Sequence, residues 1–209
     1  MTLRPRKNVY RLVVSLSGAV AKVLFRFRIL HRERMLETGP VILAMNHQSF
    51  LDPPLAGSVS DRVIFSLARK SLLDHWFWRW LLPKLNVIPV DPDGHDYMAL
   101  KHLVYLLRTG EAVLVFPEGV RSFDGSLQRP QPGLGFLIAK TLAPVVPMRI
   151  FGAYEAWPRG SETIRFRRIT IVVGHPMFLK KTDITGQGKD PYQHLSERVM
   201  DEIARITID

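Results

Sequence analysis

The sequence predicts an α/β fold, a mainly parallel sheet flanked by helices and preceded by an amphipathic helix that lies on a membrane surface. Three observations carry this reading. Short runs rich in β-branched and apolar residues recur with helical patterns between them, as βα units require. The 209 residues, 46% hydrophobic and 23% charged, suffice for one domain with a real core and exclude a disordered chain. The charge is unevenly spread: 29 Lys and Arg stand against 19 Asp and Glu, and residues 1–34 hold nine basic residues and one acid, Glu33.

From the N-terminus, Arg11, Ser15, Gly18, Lys22 and Arg26 fall on one helical stripe. Val9, Leu12, Val13, Leu16, Val20, Val23, Leu24 and Phe27 fill the opposite side. A transmembrane span from Leu12 to Leu30 would have to carry Lys22, Arg26 and Arg28 at about 2.5 to 3.5 kcal/mol each, against roughly 0.3 to 0.6 returned per large apolar residue. Lying in the interface instead lets the basic stripe face anionic headgroups, a gain of about 1 kcal/mol per charge. Two other readings are a basic helix packed on the protein's own core and a cleaved signal peptide with Ala19-Val20-Ala21 at its processing site. The expected organisation is a membrane-associating segment over 1–34 and a single domain over 35–209.

Strands are expected at Val41–Met45, Arg62–Ala68, Val87–Val90, Ala112–Phe116, Val145–Phe151 and Ile169–Val173. Helices are expected at Pro53–Val59, Leu72–Leu82, Tyr97–Arg108, Gly133–Leu142 and Tyr192–Ile206. Asp96 and Gly110 are suited to cap the Tyr97–Arg108 helix. The Gly-rich polar stretch Thr182–Pro191 reads as a surface loop. The aromatic run His75-Trp76-Phe77-Trp78-Arg79-Trp80-Leu81-Leu82 suits either the headgroup region and the entry of an apolar chain or packing against the sheet. There is no cysteine, which removes disulfides and thiolate metal sites from consideration.

Directly after the strand Val41–Met45 comes Asn46-His47-Gln48-Ser49-Phe50-Leu51-Asp52-Pro53, an H-x4-D arrangement at the carboxyl end of a strand, where open α/β sheets place their sites. Asp52 before Pro53 suits a helix start, with Asp52 at the N-cap. If the chain turns between them, the Asp52 carboxylate reaches the His47 imidazole, fixes its tautomer and leaves the other ring nitrogen for a substrate hydroxyl. A base with an ordinary pKa of about 6.5 accelerates attack by an alcohol by about 10²- to 10⁴-fold. Taken alone, the pattern also fits a helix cap beside a structural histidine. A second loop follows the strand Ala112–Phe116: Pro117-Glu118-Gly119-Val120-Arg121-Ser122 offers backbone N–H groups and a guanidinium fork suited to phosphate or carboxylate. A parallel sheet would bring both loops to one edge.

Together these two motifs, in this order, resemble the first and third motifs of the glycerolipid acyltransferases that include lysophosphatidic acid acyltransferase. The resemblance runs from about Thr38 to Pro176. It implies His47 as general base, Asp52 as its partner, and Glu118, Gly119 and Arg121 as acceptor-binding residues, with Arg121 on the phosphate. Arg69-Lys70-Ser71-Leu72-Leu73 resembles the family's basic segment, making Lys70 a second phosphate ligand, and Val146-Pro147 resembles its fourth motif, placing Pro147 near the acyl chain. Three positions depart from the pattern: Pro92 stands where an arginine is usual, Val120 replaces threonine, and Gln131 replaces a lysine.

The expected reaction is transfer of an acyl group from acyl-CoA or acyl carrier protein to the free hydroxyl of a lysophospholipid, foremost 1-acylglycerol-3-phosphate to give phosphatidic acid. The departures leave room for another lysolipid or an amino-lipid. No cofactor or metal is required, and no H-E-x-x-H spacing is present. A hydrolase using the same His-Asp dyad is the enzymatic rival, although G-x-S-x-G is absent. The non-enzymatic rivals are a basic nucleic-acid binder and a membrane-binding protein. Because the basic residues alternate with aliphatics in a terminal helix, membrane lipids and an anionic bilayer are the expected partners, with no nucleic acid. The expected location is the cytoplasmic face of the cell membrane, peripheral or monotopic.

Overall fold

The computed structural model describes residues 7–91, 97–184 and 190–208. Arg4 and Arg6 of the basic segment, Pro92, the capping Asp96 and the centre of the Thr182–Pro191 loop lie outside the described residues.

Strand β1 (Arg28–Leu30) is followed by β2 (Val41–Met45), β3 (Ile64–Arg69), β4 (Val87–Val90), β5 (Ala112–Val115), β6 (Val145–Phe151) and β7 (Thr170–Val173). They form one seven-stranded sheet in the order β1-β7-β6-β2-β5-β3-β4. The pairs from β6 to β4 are all parallel. β7 runs antiparallel to β6, and β1 parallel to β7. The sheet is therefore mainly parallel, with two reversed strands at one edge. All five residues of β2 and all four of β7 are buried, as continuous apolar runs in a sheet covered on both faces should be.

The helices are α1 (Lys7–Leu24), α2 (Asp52–Gly57), α3 (Trp76–Leu81), α4 (Tyr97–Arg108), α5 (Gly133–Thr141), α6 (Ala153–Ala156) and α7 (Pro191–Arg205). Gly110, at φ 88°, ends α4 as expected. The helix expected over Leu72–Leu82 is instead split. A 3₁₀ turn, Lys70–Asp74, precedes α3 and another, Leu82–Leu85, follows it. His75 causes the first break: it is extended, and its Nδ1 accepts the Phe77 N–H as an N-cap. β1 and α6 were not expected, being three and four residues long and so too short to show a period.

α1 has three faces rather than two. Tyr10, Gly18 and Ala21 are buried, and the contact with α2 is close: a Cβ at Gly57 would stand 3.0 Å from Val14 and 3.1 Å from the Tyr10 hydroxyl. Gly18, assigned to the polar stripe, sits in this seam, with an added Cβ 3.4 Å from Ser58. The basic residues Arg11 and Lys22 are exposed. So are the large aliphatics: Leu12 is 69% exposed, Leu16 61% and Val23 80%. Arg26 takes the left-handed conformation, φ 47°, and ends the helix. Arg28–Leu30, within the segment assigned to membrane association, then enters the sheet as β1. No helix among the described residues is long and apolar enough to cross a membrane.

Candidate active site

β2 and β5 are neighbours in the middle of the sheet and parallel, so the loops leaving their carboxyl ends meet at one edge, as the sequence implies. Asn46 fixes the exit from β2. It is 1% exposed, and its side chain accepts the Ile150 N–H at 2.8 Å and donates to the Ile150 carbonyl at 3.1 Å. This amide continues the β2–β6 ladder where the backbone of β2 turns away, and it sets the direction in which His47 leaves the strand.

The Asp52 carboxylate, fully buried, receives three hydrogen bonds on Oδ2: from His47 Nδ1 at 2.7 Å, the Gln48 N–H at 2.5 Å and the Ser49 N–H at 2.7 Å. Its N-cap position is taken by Leu51. Asp52 is the first residue of α2, and its carboxylate turns back onto the loop instead of capping the helix. The backbone donors pin the carboxylate, and the carboxylate orients the imidazole. The His47 ring stacks on Phe116 at 3.9 Å between centroids. Its side chain is 17% exposed, and Nε2 has no hydrogen-bond partner among the described residues. Ser49 anchors the same loop, its Oγ donating to the Trp157 carbonyl at 2.8 Å.

The loop after β5 grips His47 from outside. Glu118 accepts the His47 N–H at 3.0 Å and the Gln128 N–H at 3.2 Å, and the Ser122 N–H donates to the His47 carbonyl at 2.7 Å. Burial raises the Glu118 carboxyl to about 7; the two N–H donors oppose this and the negative charge of Asp52 adds to it. Gly119 has φ 72°, where a side chain would be strained, and its N–H closes a turn onto the Phe116 carbonyl at 3.0 Å. Glu118 and Gly119, expected at the acceptor, are thus engaged in shaping the loop around His47.

Arg121 lies over the Phe50 ring, with the guanidinium carbon 3.5 Å from the centroid. Its Nη1 is buried and meets no partner. Burial lowers its pKa first, and the positive charge of Arg159 is the next cause. Arg159, on the loop after α6, stands over Phe123 at 4.7 Å. A buried guanidinium nitrogen without an acceptor, beside a second guanidinium, is costly unless an anion enters. Arg159 was missed because nothing local marks it; its place follows from the packing of Trp157 on Phe50, 5.5 Å between ring centroids. Arg69, at the end of β3, also acts on Arg121 electrostatically. Lys70 beside it is exposed and makes no hydrogen bond or ion pair among the described residues. Pro147 lies within β6 opposite Ala44, and its ring closes over Gly174, where an added Cβ would stand 3.0 Å away. Gln131 supports the loop through its N–H to the Pro117 carbonyl, 2.8 Å. Among the described residues no cluster of His, Asp and Glu could hold a metal ion.

The aromatics of α3 do not pack against the sheet: none of its residues is buried, and Trp76 is 75% and Trp80 59% exposed. The 3₁₀ turn that follows α3 packs on α1, so the two exposed apolar faces belong to neighbouring elements.

Residues 26–151 match the family model described as Acyltransferase. A chloroplastic 1-acyl-sn-glycerol-3-phosphate acyltransferase of Brassica napus is 31% identical over 149 residues, covering 69% of this chain and 43% of the relative. The Arabidopsis thaliana relative of the same name is similarly 31% identical, with 41% of its length spanned, so the chain spans less than half of these plant proteins. A Bacillus subtilis 1-acyl-sn-glycerol-3-phosphate acyltransferase is 26% identical over 81% of this chain and 79% of its own. The crystal structure of the 1-acyl-sn-glycerophosphate acyltransferase of Thermotoga maritima shares the fold with a TM-score of 0.77, covering 96% of this chain and 79% of that one at 24% identity.

Proposed function

Since the chain belongs to the acyltransferase family, we propose that it transfers a fatty acyl group from a thioester, acyl-CoA or acyl carrier protein, to the hydroxyl of 1-acylglycerol-3-phosphate, giving phosphatidic acid. The observation that carries this reading is the His47–Asp52 pair, bonded at 2.7 Å through Nδ1 with Nε2 left without a partner among the described residues, on a loop tied to that of Arg121 by the Ser122 N–H. His47 Nε2 takes the acceptor's hydroxyl proton as the oxygen attacks the thioester carbonyl, and Asp52 stabilises the imidazolium that forms. Collapse of the tetrahedral intermediate breaks the carbon–sulfur bond. The departing thiolate recovers the proton from Nε2, so His47 ends neutral.

Arg121 and Arg159 receive the acceptor's phosphate in this reading, the unpartnered Nη1 supplying a donor that folding leaves unused. Lys70 and Arg69 border the same place at the end of β3. Glu118 and Gly119 serve the acceptor indirectly, by holding His47 and the Arg121 loop. The names of the relatives support a phosphorylated glycerol acceptor.

The membrane-surface role of α1 belongs to the same proposal. Leu12, Leu16, Val20 and Val23 face outward, as do Trp76 and Trp80 of α3, and Arg11 and Lys22 are exposed on the same helix, a combination that suits an anionic bilayer interface. The whole reading is tested by assaying labelled acyl transfer from acyl-CoA and acyl carrier protein to 1-acylglycerol-3-phosphate, with His47→Ala in parallel. Transfer by the wild type and none by the variant is expected; full activity in the variant would remove His47 as the base.

A further inference from the structure

A cavity of about 440 Å³ opens between the end of β6 and the segment leading into β7. Tyr154 and Pro158 form part of its wall, and Glu155, Arg165, Arg167 and Arg168 give it charge. No hydrogen bond or ion pair engages the guanidinium of Arg165, Arg167 or Arg168 among the described residues. Three like charges against one carboxylate gain nothing for folding where they stand, and an excess of positive charge in a concave site concentrates anions.

The walls are set by the backbone. The Arg165 N–H donates to the Ala156 carbonyl at 2.8 Å. Gly152 lies so close to the other wall that a Cβ there would stand 2.0 Å from the Arg168 carbonyl oxygen. The cavity is thus built into the fold around the β6–β7 crossing.

Its position relates it to the dyad. β6 is parallel to β2 and β7 antiparallel to β6, so the end of β6 and the start of β7 share the sheet edge that carries His47. β7 is the second strand from β2, a lateral distance of about 10 Å at the usual strand spacing. Tyr154 joins the two places: its hydroxyl donates to the Phe123 carbonyl at 2.9 Å. Its ring covers Gly125, whose carbonyl accepts Gln48 Nε2 at 3.0 Å, one residue from His47.

This separation selects among anions. In the acceptor, the reacting hydroxyl and the phosphate ester sit on adjacent carbons, so that phosphate must lie close to His47, where Arg121 stands. A second anionic group farther along the edge must be carried on an arm. The thioester donors supply one, because acyl-CoA and acyl carrier protein both present the acyl group on pantetheine, with a phosphate at the far end of the arm. We infer that the cavity lined by Arg165, Arg167 and Arg168 binds the phosphate end of the donor's phosphopantetheine arm. This rests on the acyltransferase reading above and adds the donor's place to it.

The test uses the full chain carrying Arg165→Gln, Arg167→Gln and Arg168→Gln together, all at exposed positions. Unacylated coenzyme A and phosphopantetheine are titrated calorimetrically against wild type and variant, which requires no acyl transfer. In parallel, KM is measured for acyl-CoA, acyl carrier protein, acyl-phosphopantetheine and the acyl-pantetheine that lacks the phosphate. Expected are binding by the wild type that weakens at least tenfold in the variant, and a matching rise in KM for the phosphorylated donors. KM for acyl-pantetheine, KM for the acceptor and kcat stay unchanged. Comparing acyl-CoA with acyl carrier protein then tells which donor uses the site. Equal binding by both proteins, or none by the wild type, overturns the inference. So does an equal rise for acyl-pantetheine, or a change confined to vesicle affinity. That last result would assign the arginines to the bilayer along with exposed Ile164 and Phe166. If the wild type acylates no lysolipid, the acyltransfer reading fails on its own account, and the titration still decides whether the cavity takes phosphopantetheine.

Discussion

Glu118 accepts the backbone N–H of His47 at 3.0 Å, so a side chain from the loop after β5 fixes the main chain of the proposed base on the loop after β2. The bond is intra-site scaffolding: it restricts the rotation of His47 relative to Asp52 without touching the imidazole.

Replacing the dyad separates chemistry from binding. His47→Ala is expected to lower kcat by at least 10²-fold with the acceptor KM within about threefold, since the ring acts on the proton in flight. Asp52→Asn should also reduce kcat by about 10²- to 10⁴-fold, because an amide in place of the carboxylate favours the wrong tautomer and stabilises no imidazolium. Steady-state kinetics with both substrates varied will check this, and loss expressed only in KM would argue against the assignment.

Glu118 makes stability depend on pH. Its carboxyl sits near 7 in the folded protein against an ordinary 4.5, so folding favours the protonated form. That contribution is complete below about 4.5 and is lost as pH rises towards 7, above which a buried carboxylate must be carried. Glu118→Gln has no proton to lose. The Tm of the variant relative to wild type should therefore climb between pH 5 and pH 8, whereas its activity falls throughout, because the amide nitrogen cannot accept the second N–H. A Tm difference independent of pH would contradict the raised carboxyl.

Arg121 and Arg159 are expected to discriminate the acceptor by charge. Arg121→Ala should raise KM for 1-acylglycerol-3-phosphate tenfold or more, in line with about 1.5 to 3 kcal/mol for a charged hydrogen bond. Arg159→Ala should act in the same direction and less strongly, being held over exposed Phe123. Neither should alter KM for monoacylglycerol, which carries no phosphate. Equal effects on both acceptors would point to a folding defect.

The outer face of α1 offers a test of surface attachment. Leu12→Glu, Leu16→Glu and Val23→Glu alter side chains that touch little of the fold, so circular dichroism and Tm should stay close to wild type. Each aliphatic side chain that no longer enters a bilayer forfeits about 1.5 to 3 kcal/mol at most. Co-sedimentation with anionic vesicles is expected to fall more than tenfold, while transfer to a lysolipid in detergent micelles persists. Undiminished vesicle binding would place the contact elsewhere.

The parallel strands were legible because burial on both faces writes itself as uninterrupted Val, Ile, Leu and Ala, as in Val41–Met45. The contact between His47 and Asp52 was legible from H-x4-D at the end of such a strand. The roles within the third motif were not: that Glu118 turns to the backbone of His47 depends on two loops meeting, and nothing near Glu118 in the chain records it. Arg159 and the Arg165–Arg168 group were invisible for the same reason, lying far along the chain in segments with no period. The three-faced character of α1 was half visible. A hydrophobic stripe can be counted, but only the close seam of Gly18 and Gly57 against their neighbours shows which apolar residues face the protein, Tyr10 and Val14 among them, while Leu12, Leu16 and Val23 face outward.

α2 is six residues long, about 9 Å at the helical rise. It begins with Asp52 and ends at Gly57, which rests on Val14 and Tyr10 of α1. One stiff strut therefore links the helix proposed to lie on the lipid to the carboxylate that aims the base. With α1 on lipid as proposed, the height of the His47–Asp52 pair above that lipid would be a fixed dimension of the protein. Acceptors would then be sorted by how deep their hydroxyl sits beneath the water as well as by their chemistry, and a substitution that thickens the α1–α2 seam would retune that depth.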